Sequence, residues 1–119
     1  MKNVVVVEDD ATMRSLLKTL LEIEGYQVFP VDGASFEEVL NILNTNTPAV
    51  LLMDVHLKGG DSLDILKTIK SGEKYTGVKI IMTSGEDLQT ECIKHGAEGF
   101  LMKPYMPDTL LKMLKQNFE

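Results

Sequence analysis

The sequence has no tryptophan and a single cysteine, Cys92, among 119 residues. One cysteine cannot close an internal disulfide, and the opening residues MKNVVVV lack the charged-then-apolar pattern of an export leader, so a reducing, cytoplasmic setting is expected. No apolar run approaches the ~20 residues that a membrane-spanning helix needs. Basic charge is also in short supply: 12 Lys and Arg stand against 18 Asp and Glu, for a formal net charge of -6, and the bases are scattered. Direct nucleic-acid binding rewards a concentrated Lys/Arg surface and is not expected here. Linkers, internal repeats and low-complexity stretches are missing too, so residues 1–119 read as one globular domain around one core.

What is present is a recurrence of short apolar runs: VVVV (4–7), YQVF (26–29), AVLLM (49–53), KIIM (79–82) and GFLM (99–102). Runs of this length suit strands buried on both faces of a parallel sheet. Helical periodicity fills the gaps. The first helix opens near Asp10, carries Met13, Leu16, Leu17, Leu20 and Leu21 on one stripe, and stops at Gly25. The second begins at Ser35, with Glu38 at capping-box spacing, and carries Phe36, Val39, Leu40 and Leu43. A third follows Asp61 with Leu63, Leu66 and Ile69; a short fourth covers roughly Asp87 to His95; the last runs from Asp108 to about Phe118. The order is (βα)5, which implies right-handed crossovers and an open, doubly wound α/β sheet covered on both faces.

In such sheets the ligand crevice lies beyond the carboxyl ends of the strands. Glu8, Asp9 and Asp10 follow the first strand, Asp54 ends the third, Thr83 and Ser84 end the fourth and Lys103 ends the fifth, so all of them fall at one rim. Carboxylates gathered in one place repel one another unless a cation neutralises them. Hard oxygen donors select Mg2+ or a similar ion; there is no His/Cys cluster for zinc, since His56 and His95 stand alone and Cys92 falls on the fourth helix. Beside such an ion a carboxylate can act as a nucleophile toward a phosphoryl group, with Lys103 and Ser84 placed to hold its oxygens.

EDD after strand one, MDVHL containing Asp54, TSG after strand four and the Lys103–Pro104 pair, taken in order, resemble the receiver domain of bacterial two-component response regulators. The likeness covers the whole chain, and the segment DDATMRSLL is similar to that of single-domain chemotaxis regulators. It implies a flavodoxin-like sheet of order 2-1-3-4-5. It implies that Asp54 accepts a phosphoryl group from a sensor histidine kinase or histidine phosphotransfer protein and relays the signal to a downstream protein target that the sequence does not name. Asp9 would be a direct Mg2+ ligand, Glu8 would act largely through water, and Asp54 and the backbone carbonyl of His56 would complete the protein ligands. Ser84 and Phe100 would be the switch pair, coupled to the face of helix four, strand five and helix five, and the Lys103–Pro104 peptide would be cis. His56 and Glu86, flanking the pocket, would tune loss of the phosphoryl group.

Two positions depart from the family pattern. Lys58 stands where proline is usual, four residues after the acceptor, and Ser62 where glycine is usual, eight after it; Gly59 and Gly60 supply a turn instead. The segment from Ser84 to Gly96 is about three residues shorter than in typical members, so a short or reshaped fourth helix is expected. These departures motivate an alternative, a pseudo-receiver that works as an interaction module without phosphate. A Mg2+-dependent phosphohydrolase is a third reading, but such enzymes want an acid two residues after the nucleophile, where His56 stands. Bland roles are expected elsewhere: Met82 and Met102 as core filler, Cys92 as a small helix residue, and Glu22, Glu24, Glu37, Lys67 and Lys70 on solvated helix faces.

Overall fold

The computed structural model describes residues 2–117. Five parallel strands form one sheet: β1 (Asn3–Val7), β2 (Gln27–Val31), β3 (Val50–Asp54), β4 (Lys79–Ser84) and β5 (Gly99–Met102), in the order β2-β1-β3-β4-β5. Five helices alternate with them: α1 (Ala11–Ile23), α2 (Phe36–Asn46), α3 (Leu63–Lys70), α4 (Gln89–Lys94) and α5 (Pro107–Asn117). This is the flavodoxin-like order expected from the sequence. The expected end of the last helix near Phe118 lies outside the described residues.

The sheet is buried on both sides because each strand alternates between two apolar clusters. Val5, Val7, Leu51, Met53, Ile80 and Met82 meet α2, α3 and α4 through Val39, Leu43, Leu66, Ile69 and Cys92. Val4, Val6, Val50, Leu52 and Ile81 meet α1 and α5 through Leu17, Leu21, Leu110 and Leu114. Burying side chains on both faces is what gives these strands their unbroken apolar character. β2 extends further than the YQVF run suggested and includes Pro30, which pairs with Val6. An edge strand tolerates a proline because one side of its ladder has no partner to satisfy.

The helices begin and end where their termini can be satisfied. Asp10 accepts the N–H of Met13 at 2.9 Å and opens α1; Ser35 accepts the N–H of Glu38 at 3.3 Å and opens α2. α1 and α4 both close on a left-handed glycine, Gly25 and Gly96, with paired backbone bonds from Tyr26 to Leu21 and from Ala97 to Cys92. α4 is shorter than the sequence suggested: regular helix covers only Gln89–Lys94, and Leu88 at its cap position offers no side-chain acceptor, so Asp87 Oδ1 takes the N–H of Gln89 at a long 3.4 Å.

Three expectations about packing are corrected. Leu16, assigned to the inward stripe of α1, is 47% exposed, and Met102, read as core filler, is 50% exposed. The apolar arc of α1 is wider than the sheet can cover, and Met102 is the last residue of an edge strand. Lys70 is no ordinary solvated lysine. Its ammonium pairs with Glu98 and donates to the Val78 carbonyl at 3.2 Å, while the other Glu98 oxygen accepts the N–H of Ile80. It thereby ties α3 to the start of β4.

Candidate functional site

Because the strands are parallel, their carboxyl ends share one edge, and backbone bonds continue just past that edge. Glu8 N–H donates to the Val31 carbonyl at 3.1 Å, Val55 N–H to Thr83 at 2.8 Å, and Lys103 N–H to Ser84 at 2.8 Å. The residues that leave the sheet are thus held before their side chains act. The Lys103–Pro104 peptide is cis.

At this rim Glu8 is 3% exposed and Asp54 is 8% exposed. The Lys103 ammonium joins them, 2.7 Å from Glu8 Oε1 and 2.8 Å from Asp54 Oδ2. Glu8 uses its second oxygen to accept the N–H of Asp10 at 3.2 Å, and its main-chain carbonyl accepts a bond from Arg14 Nη1 at 2.7 Å. Burial works against the charge on Lys103, but its bonds to Asp54 and Glu8 and their negative charges outweigh that cost and hold its pKa above the ordinary lysine value. Burial likewise pushes Tyr105 up to about 12, so it remains a neutral phenol beside the cluster.

Glu8, Asp9 and Asp54 each place a carboxylate oxygen so that the three lie within 4.8 Å of one another. Asp9 is only half-buried, and its carboxylate has no hydrogen-bond partner among the described residues. An all-oxygen, acid-rich set with one uncommitted carboxylate fits a small hard cation such as Mg2+ and not a thiophilic metal.

Ser84 is fully buried, and its oxygen accepts the N–H of Glu86 at 3.0 Å. Thr83 instead lies in register with Asp54. Register pairs Ser84 with Met102 and Met82 with Phe100, so Ser84 and Phe100 stand two positions apart on the same face of the sheet. Phe100 is half-buried against the α2, α3 and α4 cluster. His56 and Glu86 are both exposed, and His56 Nε2 lies 3.2 Å from Glu86 Oε1, linking the loops after β3 and β4.

Between β3 and α3 the chain forms a small antiparallel ribbon, His56–Leu57 with Gly60–Asp61, which periodicity did not reveal. Its turn is docked by the Gly59 N–H on the Gly33 carbonyl at 3.0 Å. Sequence reasoning also missed two side chains that bind backbone at the site, Arg14 and Ser62. A charged residue one turn into α1, and a buried-position serine in place of a glycine, were the signals available.

No helix among the described residues is long and apolar enough to cross a membrane. The phosphate regulon transcriptional regulatory protein PhoB of Klebsiella pneumoniae is 28% identical over 117 residues, covering 96% of this chain and 50% of that protein. The transcriptional regulatory protein YxdJ of Bacillus subtilis is 31% identical over 115 residues, covering 97% of this chain and 49% of that protein. The chain therefore spans about half the length of these curated relatives. Among solved structures, the chemotaxis response regulator CheY4 of Vibrio cholerae superimposes with a TM-score of 0.86 at 27% identity, covering 97% of each chain. The receiver domain of NtrX from Brucella abortus does so with a TM-score of 0.83 at 26% identity, covering 94% of each. Residues 4–115 match the profile of the response regulator receiver domain, and the chain belongs to that family.

Proposed function

We propose that residues 1–119 form one cytoplasmic receiver unit in which Asp54 is the phosphoacceptor of a Mg2+-dependent signalling switch. The observation that carries this reading is the convergence of Glu8, Asp9 and Asp54 with Lys103 at one rim. Asp9 and Asp54 would hold the ion directly, with the His56 carbonyl as a third protein ligand and Glu8 acting through water. Bound there, Mg2+ supplies positive charge against the carboxylates and the phosphoryl oxygens.

Asp54 supplies an oxygen lone pair to phosphorus as the bond to the donor's leaving atom breaks and its electron pair departs with that atom. With a histidine kinase or phosphotransfer protein as donor, the leaving atom is an imidazole nitrogen. Lys103 already touches the acceptor carboxylate, so a short movement brings its ammonium onto a phosphoryl oxygen. The Ser84 bond to Glu86 uses only the serine oxygen as acceptor, which leaves the hydroxyl proton free to turn toward the new anion. Rotation of the Ser84 side chain toward that anion, with release of the Glu86 N–H, would empty space on the face shared with Phe100, and the ring would follow inward. The added charge selects whichever state makes these contacts, and the face of α4, β5 and α5 reports it to a downstream protein.

A donor protein would approach over α1. Beside the acid cluster, the outer face of α1 has an open hollow of about 540 Å³ lined by Ala11, Thr12, Ser15, Leu16 and Thr19, and the exposure of Leu16 suits a protein contact. His56 and Glu86, bridging the two loops at the rim, restrict water and so set how long the phosphoryl group survives.

Heteronuclear spectra with and without beryllofluoride, in the presence of Mg2+, test the switch. The expected result is shifts at Asp54, Ser84, Phe100 and Lys103 spreading into α4, β5 and α5. Unchanged spectra would favour an interaction module that works without phosphate.

A further inference from the structure

Ser62 stands at the start of α3, where a serine ordinarily turns its oxygen to the first free N–H groups of the helix. It makes no such cap here. Asp61 takes the N–H of Leu63 instead, at 2.9 Å. The Ser62 side chain is wholly buried and faces backward: its hydroxyl lies 2.6 Å from the Asp54 carbonyl and 3.1 Å from the Val55 carbonyl. A hydroxyl has one proton to give, and the shorter contact takes it. The Val55 carbonyl is satisfied independently by the Ser62 N–H at 2.9 Å.

The peptide unit that follows Asp54 is therefore pinned at both ends. Its N–H, on Val55, donates to the Thr83 carbonyl of β4, and its carbonyl, on Asp54, accepts from Ser62. β3 ends at Asp54. The Ser62 hydroxyl gives the carbonyl there a partner supplied by a side chain eight residues on. Without the hydroxyl, that buried carbonyl loses its partner and the plane is free to tilt. A tilt there rotates the backbone on which the Asp54 carboxylate sits, and carries His56 with it.

We propose that Ser62 is a positioning residue for phosphoryl transfer: by holding the Asp54 carbonyl it fixes the acceptor carboxylate relative to Glu8 and Asp9. This rests on the reading of Asp54 as the acceptor. Because a cation must be met by all these oxygens at once, the loss on removing Ser62 falls first on Mg2+ affinity. The family's usual glycine at this place has no hydroxyl, so the device belongs to this chain.

The test uses the full chain and the variants Ser62→Ala, Ser62→Gly and Ser62→Cys. Mg2+ affinity is measured by calorimetry, thermal melting is recorded without Mg2+, and phosphorylation by acetyl phosphate is followed across Mg2+ concentrations. Partners that orient metal ligands cost 10- to 100-fold in affinity when removed, and an indirect, backbone-borne effect belongs at roughly the tenfold end. Ala and Gly should lose about that much, Cys less, and phosphorylation should recover as Mg2+ is raised. Any folded variant lacking the hydroxyl that binds Mg2+ as the wild type does, however early it melts, makes Ser62 merely structural and overturns the proposal; the three side chains differ in size, so the result does not depend on one of them folding. Failure of the wild type itself to bind Mg2+ or become phosphorylated would instead sink the acceptor reading.

Discussion

Lys103 Nζ stands 2.8 Å from Asp54 Oδ2 across 49 residues of sequence, and the same ammonium lies 2.7 Å from Glu8 Oε1. One cation thus holds two nearly buried carboxylates together at the carboxyl edge of the sheet. Lys103→Met would leave both without it. Breaking a fully buried pair costs several kcal/mol, but the Lys103 side chain is 25% exposed and partly screened, so a loss of about 1–3 kcal/mol is expected in urea titrations without Mg2+. Mg2+ should then raise the melting temperature of the variant more than that of the wild type, because it supplies the missing positive charge. The folded pKa of Lys103 is raised, so its contribution is fully present below the unfolded value of about 10.4 and fades only as pH rises through the folded value. The difference between wild type and variant should accordingly be flat from pH 6 to 9.

The contact between His56 and Glu86 separates stability from lifetime. Both side chains are exposed, 56% and 70%, and such pairs contribute about 0–1 kcal/mol. Replacing either with alanine should leave the denaturant midpoint nearly unchanged. Opening the rim to water should shorten the life of the phosphorylated state by roughly two- to tenfold, up to about 1.4 kcal/mol in the hydrolysis barrier. Equal decay rates in wild type and in the double variant, followed by phosphate release, would remove this role.

Cys92 is wholly buried in α4, and burial, helped by the charges of Asp61 and Glu91, pushes its thiol up to about 11. The thiolate is the reactive species, so iodoacetamide at pH 8 should label the native protein far more slowly than the unfolded chain. Labelling should accelerate in step with urea-induced opening. Rapid labelling of the folded protein would show that α4 opens on its own.

Much of this architecture was legible because unbroken apolar runs alternate with segments of helical period. VVVV, AVLLM and KIIM suit strands covered on both faces, and the ends of those runs put Glu8, Asp54 and Ser84 at one rim. What escaped were features without a period. The ribbon at His56–Leu57 has two residues per strand, too few to register. Lys70 resembled any exposed helix lysine until α3 closed against β4 and brought Glu98 to it, 28 residues away. Arg14 and Ser62 bind backbone carbonyls, and a bond from a side chain to the main chain leaves no second residue type for a pattern to catch. Leu16 shows the opposite error: an apolar stripe gives the direction of a face, while the width of that face is set by the surface it meets.

The most direct measurement is intact-protein mass spectrometry after incubation with acetyl phosphate and Mg2+, with the modified residue mapped by borohydride reduction of the acyl phosphate. The expected result is a gain of one phosphoryl group at Asp54 that needs Mg2+ and disappears in Asp54→Asn. A gain of the same extent in Asp54→Asn, or one indifferent to Mg2+, would contradict it.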